Sequence, residues 1–266
     1  MTNVGFIGAG NMGYAIMKGI AGSSLAQEMQ VTAFDPDAQK LSRLAELGIR
    51  GAASGMEVME QSSIVFLAVK PQMFDEVLSQ IAPGVTEETV IVSIAAGITA
   101  QYIRSKTIPS AKVILVMPNT PLLLGEGASA LAKCEGVTEE EFAAVRSIFD
   151  ACGVTQALPE DKMKEIIAIN GSSPAFIYLF AKAFTDYAAS EGIDSAAALS
   201  LFAQSLIGSA KMLTDSGYSV EELIRMVSSP GGTTLAGLDE LYKGGLEATV
   251  DACCKACTKR AYELSK

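Results

Sequence analysis

Apolar and polar positions divide the chain into two stretches of different rhythm. The first carries short, nearly unbroken apolar runs at 3–7, 30–34, 64–69, 90–94 and 113–116. Continuous rather than alternating hydrophobicity is the mark of parallel strands covered on both faces. Segments of helical period lie between them, near 14–20, 37–47, 72–82 and 99–106. Strand and helix alternate five times, which predicts an α/β fold with a doubly wound parallel sheet. Weaker runs at 128–131 and 154–158 flank a helix at 138–151 and predict two edge strands. From about position 160 strand-like runs stop, and helical segments follow at 161–190, 194–215, 219–227, 232–243 and 246–265. We therefore divide the chain into a sheet domain, 1–159, and an all-helical domain, 160–266. Phe176, Ile177, Phe180, Ala183, Phe184 and Tyr187 recur at helical spacing, so they are expected in a core.

Composition sharpens this picture. With 49% hydrophobic residues in 266, the chain has more apolar surface than a monomer needs, so self-association is expected. A net charge of −10 argues against nucleic acid or an anionic membrane as partner. The most membrane-like stretch, 195–210, is interrupted by Ser200, Gln204, Ser205 and Ser209 and falls short of the roughly 20 residues a span needs. A buried helix of small residues is expected there instead. No leader pattern precedes the first strand, which predicts a cytoplasmic protein. There is no histidine, so the commonest acid–base group and metal ligand are both missing. Five cysteines do not make a disulfide framework, and Cys253-Cys254-x-x-Cys257 lacks a second pair to complete a metal site. These thiols are expected in a core or interface, and no metal is expected.

The first strand runs directly into Gly8-Ala9-Gly10-Asn11-Met12-Gly13 and then a helix. In this spacing the first glycine makes the turn, the second admits a pyrophosphate, and the third lets helix pack on strand. The second strand ends at Asp35, the offset at which a carboxylate meets the adenosine ribose. The reading is a dinucleotide site. Asp35 and Asp37 would repel a 2′-phosphate, and Lys40 and Arg43 come only later, so NADH is expected to be preferred over NADPH. Asp35 is also placed to N-cap the following helix. Gly8–Gly13, Lys70-Pro71, Ala95–Gly97 and the turn at 118–121 all fall at the carboxyl edge of the predicted sheet, where such folds bind ligands.

A second constellation lies far along the chain, in Met226-Val227-Ser228-Ser229-Pro230-Gly231-Gly232-Thr233-Thr234. Its glycines allow close backbone approach, its hydroxyls donate and accept, and the helix start beyond favours a carboxylate.

Taken in order, Gly8–Gly13, Ala68-Val69-Lys70-Pro71-Gln72, Ala95-Ala96-Gly97, Met117-Pro118-Asn119-Thr120-Pro121 and Ser229–Thr234 resemble the blocks of the Δ1-pyrroline-5-carboxylate reductases over essentially the whole chain. The resemblance implies a Rossmann domain followed by a helical dimerisation domain, assembled as a dimer or a decamer of five dimers. It implies reduction of pyrroline-5-carboxylate to L-proline with NADH or NADPH. Position by position, it puts the pyrophosphate on Gly8, Ala9, Gly10, Asn11, Met12 and Gly13, and the ribose near Asp35. Ala68, Val69, Lys70, Pro71, Ala95, Ala96 and Gly97 would line the nicotinamide side. Val227, Ser229, Gly231, Gly232, Thr233 and Thr234 would hold the substrate, with Ser229 and Thr234 at the reacting centre and Glu160 nearby. Three positions depart from the family pattern. Asn170-Gly171-Ser172-Ser173-Pro174 stands for Ser-Gly-Ser-Gly-Pro, Met226 for an asparagine of some members, and Ile167 for a threonine. Asn170 can still donate and accept. Two rivals share parts of this layout. A β-hydroxyacid dehydrogenase would want a catalytic lysine in a glycine-rich helix opening, but Lys182 lies well past 170–174. A non-catalytic dinucleotide sensor would have no use for a carboxylate-binding turn.

Overall fold

The computed structural model describes residues 1–265. Its two compact units are Met1–Ser172 joined by the chain from Ala256 onward, and Ser173–Lys255.

The first unit is built on one eight-stranded sheet: β1 (Thr2–Ile7), β2 (Met29–Phe34), β3 (Arg50–Gly51), β4 (Ile64–Leu67), β5 (Val90–Ser93), β6 (Lys112–Met117), β7 (Gly127–Lys133) and β8 (Gly153–Ala157). Their spatial order is β3-β2-β1-β4-β5-β6-β7-β8. β7 pairs antiparallel with β6 and parallel with β8, while every other pairing is parallel. The order reverses between β1 and β4, and open α/β sheets bind ligands in the cleft beyond the carboxyl ends at such a point. The continuous apolar runs have the predicted cause. Along β4, Ile64 and Phe66 join one core cluster, and Val65 and Leu67 join the other. Phe6 and Phe66 stack with ring centroids 4.5 Å apart. Helices α1 (Asn11–Ala21), α2 (Ala38–Ala45), α3 (Gly55–Gln61), α4 (Phe74–Ile81), α5 (Ala100–Lys106) and α6 (Glu139–Asp150) cover the sheet. The short β3 and α3 were not anticipated, because neither carries a long periodic pattern.

α6 opens with a reciprocal capping box between Thr138 and Glu141, and Glu141 also accepts from Lys112 Nζ at 2.7 Å. Burial alone would raise the Glu141 pKa, but Lys112 and the Thr138 N–H outweigh it and hold the carboxyl below its usual value. A carboxyl depressed in the folded state contributes stability above its unfolded pKa of about 4.3, and that stability is lost as pH falls through the folded value. Tm should therefore drop as pH is lowered from 5 to 3. A melting series should show Glu141→Gln losing less over this interval than the unmodified protein, and equal losses would dismiss the pair as a source of acid sensitivity.

The second unit is helical: α7 (Ser173–Ser190), α8 (Ser195–Asp215), α9 (Val220–Met226), α10 (Thr233–Lys243) and α11 (Leu246–Leu264), whose last residues belong to the first unit. The helix expected over 161–190 is not continuous. A 3-10 turn at Glu160–Lys162 and a π-helical segment at Ile167–Gly171 precede α7. The expected core positions on α7 are also corrected. Ile177, Phe180, Phe184 and Tyr187 are exposed in the single chain, and α8 has no buried residue. Helical spacing marks an apolar face but not what covers it, and one copy of these two helices supplies no second layer. Length and composition alone would allow α8 to cross a membrane, and the buried helix expected over 195–210 is corrected: none of its residues is buried in the single chain. Cys134 and Cys152 are buried, and Cys253, Cys254 and Cys257 are half-buried.

Candidate active site

The Gly-rich turn is shaped by backbone contacts that a side chain would break. Gly8 has φ +105°, and a Cβ there would stand 2.5 Å from the Ala68 carbonyl oxygen. A Cβ on Gly13 would stand 2.5 Å from the Gly8 carbonyl oxygen. Gly10 is different, since a Cβ there would meet nothing within 4 Å. The room beside it is open to a ligand. Gly10 is also the N-cap of α1, and no side chain caps that helix. The amides of Asn11, Met12 and Gly13 thus begin a helix whose N-terminal donors suit a pyrophosphate. These observations fit a dinucleotide.

Gly8, Gly10, Asp35, Pro36, Lys40, Ala68, Val69 and Lys70 line one cavity of about 460 Å³ over the ends of β1, β2 and β4. Pro71 starts a 3-10 turn after Lys70. Asp35 is 6% exposed. Its Oδ2 accepts from the Ala9 N–H at 2.8 Å, and its Oδ1 accepts from the Asp37 N–H at 2.9 Å. Lys40 Nζ reaches both oxygens, at 3.1 and 3.2 Å. Burial would raise the Asp35 pKa, but these donors prevail and hold it below the ordinary aspartate value. The capping role considered for Asp35 belongs instead to Asp37, which accepts from the Gln39 N–H. Asp35 braces the Gly-rich turn, and Lys40 is the residue that sequence reasoning underrated. It lies one helical turn beyond the N-cap, a placement that brings its stem back toward Asp35.

A second cavity of about 430 Å³ lies over the ends of β5 and β6. It brings Ala95, Gly97 and Glu160 together with Ser93, Lys164 and Tyr262. Ala96 is exposed on the same loop. The end of α11 closes this region, with the Leu264 carbonyl oxygen 3.2 Å from where a Gly97 Cβ would lie. Tyr262 Oη donates to Glu165 Oε1 at 2.7 Å, and Lys164 Nζ lies 4.5 Å from the Tyr262 ring centroid. No sequence signal pointed to the Tyr262–Glu165 pair, whose members are 97 positions apart. Asn170 is buried and donates through Nδ2 to the carbonyls of Met117 and Ala128, at 2.7 and 3.0 Å. Asn119 returns a bond to the Asn170 carbonyl at 3.2 Å. This pair pins the π-helical segment to β6 and β7. Asn170 Oδ1 has no partner, so the side chain donates here and does not accept as well.

The turn singled out in the helical unit is built as its residues suggest. The Gly232 N–H donates to the Ser229 carbonyl at 2.9 Å, and Gly231 takes φ +71°. Gly232 then N-caps α10 without a side-chain cap, and no acidic residue sits in the first turn. Ser229, Thr233 and Thr234 are exposed. Val227 is placed otherwise. It lines an apolar groove of about 280 Å³ with Met212, Leu213 and Ile224. Among the described residues no cluster of three or more His, Cys, Asp or Glu could hold a metal ion.

The sheet order and the uncapped glycine cradle are those of a nicotinamide-dinucleotide oxidoreductase with a helical second domain. The chain belongs to the pyrroline-5-carboxylate reductase family: residues 160–264 match the pyrroline-5-carboxylate reductase dimerisation model, and full-length relatives agree. Residues 3–97 match the model for NADP oxidoreductase, coenzyme F420-dependent. The chain is 36% identical to pyrroline-5-carboxylate reductase of Escherichia coli K12, over 99% of this chain and 98% of that protein. It is 37% identical to pyrroline-5-carboxylate reductase 3 of Bos taurus, over 99% and 85% respectively. The pyrroline-5-carboxylate reductase structure from Coxiella burnetii superposes with a TM-score of 0.93 at 29% identity, covering 100% of this chain and 99% of that one. The Plasmodium falciparum pyrroline carboxylate reductase, solved with NADP bound, gives 0.89 at 28%, covering 100% and 98%.

Proposed function

We propose that this enzyme reduces 1-pyrroline-5-carboxylate to L-proline with NAD(P)H. The observation that carries the reading is the uncapped start of α10 behind the Ser229–Gly232 turn, an anion-binding feature that complements the dinucleotide cradle at β1. When bound, the nicotinamide supplies the hydride. The chain's part is to hold and orient. First-turn amides of α10 pin the substrate carboxylate, Ser229 and Thr233 add hydroxyl contacts, and Glu160 bounds the cavity on the side of Ala95 and Gly97. A cyclic imine nitrogen can arrive already protonated near neutral pH, so Thr234 needs only to accept a hydrogen bond from it, which suits a chain without histidine. Thr234→Ala should lower kcat tenfold to a hundredfold, the scale of a modest orienting or proton-transfer contribution. Steady-state kinetics check this, and an unchanged kcat/KM removes Thr234 from the site.

Because the turn lies in the helical unit and the family model there is one of dimerisation, we place the complete site at a subunit interface, in a dimer and possibly a decamer of dimers. The Asp35 carboxylate beside the ribose position favours NADH over NADPH. An odd number of cysteines without the spacing of a disulfide framework suits a reducing compartment, and we place the enzyme in the cytoplasm.

The deciding assay is proline-dependent reduction of NAD+ and of NADP+ at alkaline pH. Turnover higher with NAD+ supports both the reaction and the role of Asp35. Turnover higher with NADP+ keeps the reaction and discards the preference. No turnover by folded, dinucleotide-binding protein discards the reaction.

A further inference from the structure

We propose that Lys40 is the residue that admits NADPH: its ammonium, held on Asp35 in the resting site, turns onto a 2′-phosphate when one is present. This inference rests on the dinucleotide site proposed above but not on the imine substrate. A carboxylate at the end of β2 reads the ribose hydroxyls and repels a phosphate in their place. In this chain that carboxylate carries a movable counter-charge. Asp35 is 6% exposed and fixed by two backbone donors, whereas the Lys40 side chain is 39% exposed and lies on the wall of the cavity. A half-exposed ammonium gives up little in leaving an ion pair, and the Ala9 and Asp37 amides keep Asp35 satisfied when it goes.

Lysine suits such a switch, since it is a compact charge on a flexible stem. The other basic groups nearby are differently engaged. Arg43, one turn further along α2, lies with its guanidinium carbon 4.4 Å from the Tyr14 ring centroid. Lys70 lines the same cavity from the end of β4, on the other side of β1 from Asp35. Of the three, Lys40 alone already sits against the carboxylate that the phosphate would face.

The test is binding of two fragments, 2′,5′-ADP and 5′-AMP, by calorimetry on the intact protein. They differ only in the 2′-phosphate and need no catalysis, so a failed imine reduction leaves the result readable. Lys40→Gln should reduce the affinity ratio of 2′,5′-ADP to 5′-AMP at least tenfold, and Lys40→Arg should retain most of it. Asp35→Asn should raise the ratio, by removing the repulsion and releasing Lys40. If Lys40→Gln weakens both fragments alike, the lysine only supports the fold of the loop. If it weakens neither, another group reads the phosphate. Either result overturns the proposal.

Discussion

Gly10→Glu should cost the protein at least a hundredfold in dinucleotide affinity, about 2.7 kcal/mol, while its Tm stays level or rises slightly. Both halves follow from the geometry of one residue. Gly10 has φ −66° and ψ −177°, an extended conformation open to any amino acid, and a Cβ there meets nothing within 4 Å. The fold therefore tolerates the side chain. A carboxylate at the N-cap of α1 even stabilises the helix, by roughly 0.3–1 kcal/mol. The same carboxylate occupies the space, and claims the amides, that a pyrophosphate would use. Gly13→Ala is the contrasting variant, because its methyl would meet the Gly8 carbonyl oxygen at 2.5 Å. It should lose stability together with binding. Calorimetric titration beside thermal melting separates the two. If Gly10→Glu still binds NAD+ normally, the cradle is not where the pyrophosphate lies.

The second large effect is expected from breaking self-association. Leu201, on α8, is 71% exposed in the single chain. Phe184 of α7 stacks on Phe202 of α8 with centroids 4.4 Å apart, yet Phe184 is itself 46% exposed. Apolar area on this scale is covered by another copy in a family whose helical domain is one of dimerisation. Leu201→Glu places a charge on that face and should yield monomers by sedimentation. Activity should then vanish rather than halve if, as proposed, the complete site forms only at the subunit interface. Binding of 5′-AMP should survive, since Asp35 and the Gly-rich turn sit on a sheet with its own two core clusters. A monomer with full turnover would show that one chain holds the whole site. Loss of 5′-AMP binding as well would mean that the substitution had unfolded more than an interface.

Local signals were enough for every strand but the two-residue β3, for the Gly-rich turn and for the Ser229–Gly232 turn. Each is encoded within a dozen residues, by continuous hydrophobicity, by glycine where no Cβ fits, and by a free helix start. Asp35 was legible as a residue at the mouth of the cavity for the same reason, being the first residue after β2. The break between Met163 and Ser172 was not. That segment's apolar residues keep helical spacing, and what interrupts the helix is the pinning of Asn170 to Met117 and Ala128, carbonyls more than forty positions away.

Sequence by itself thus determined the parallel core of the sheet, the kind of ligand at its edge and the presence of an apolar helical face, because periodicity and glycine placement act over short spans, whereas β3, the antiparallel β6–β7 pairing and the inner place of β7, expected at an edge, came only with the fold. Only the tertiary structure decided how the charges pair and which apolar faces remain uncovered. On sequence alone Asp35 was read as a ribose ligand or an N-cap, and only the fold shows Ala9, Asp37 and Lys40 gathered on its carboxylate, with Asp37 taking the cap. The α7 stripe, expected in a core, stands exposed in the single chain. Pairing and burial depend on which distant segments meet, and a one-dimensional pattern specifies that a face must be covered without specifying by what.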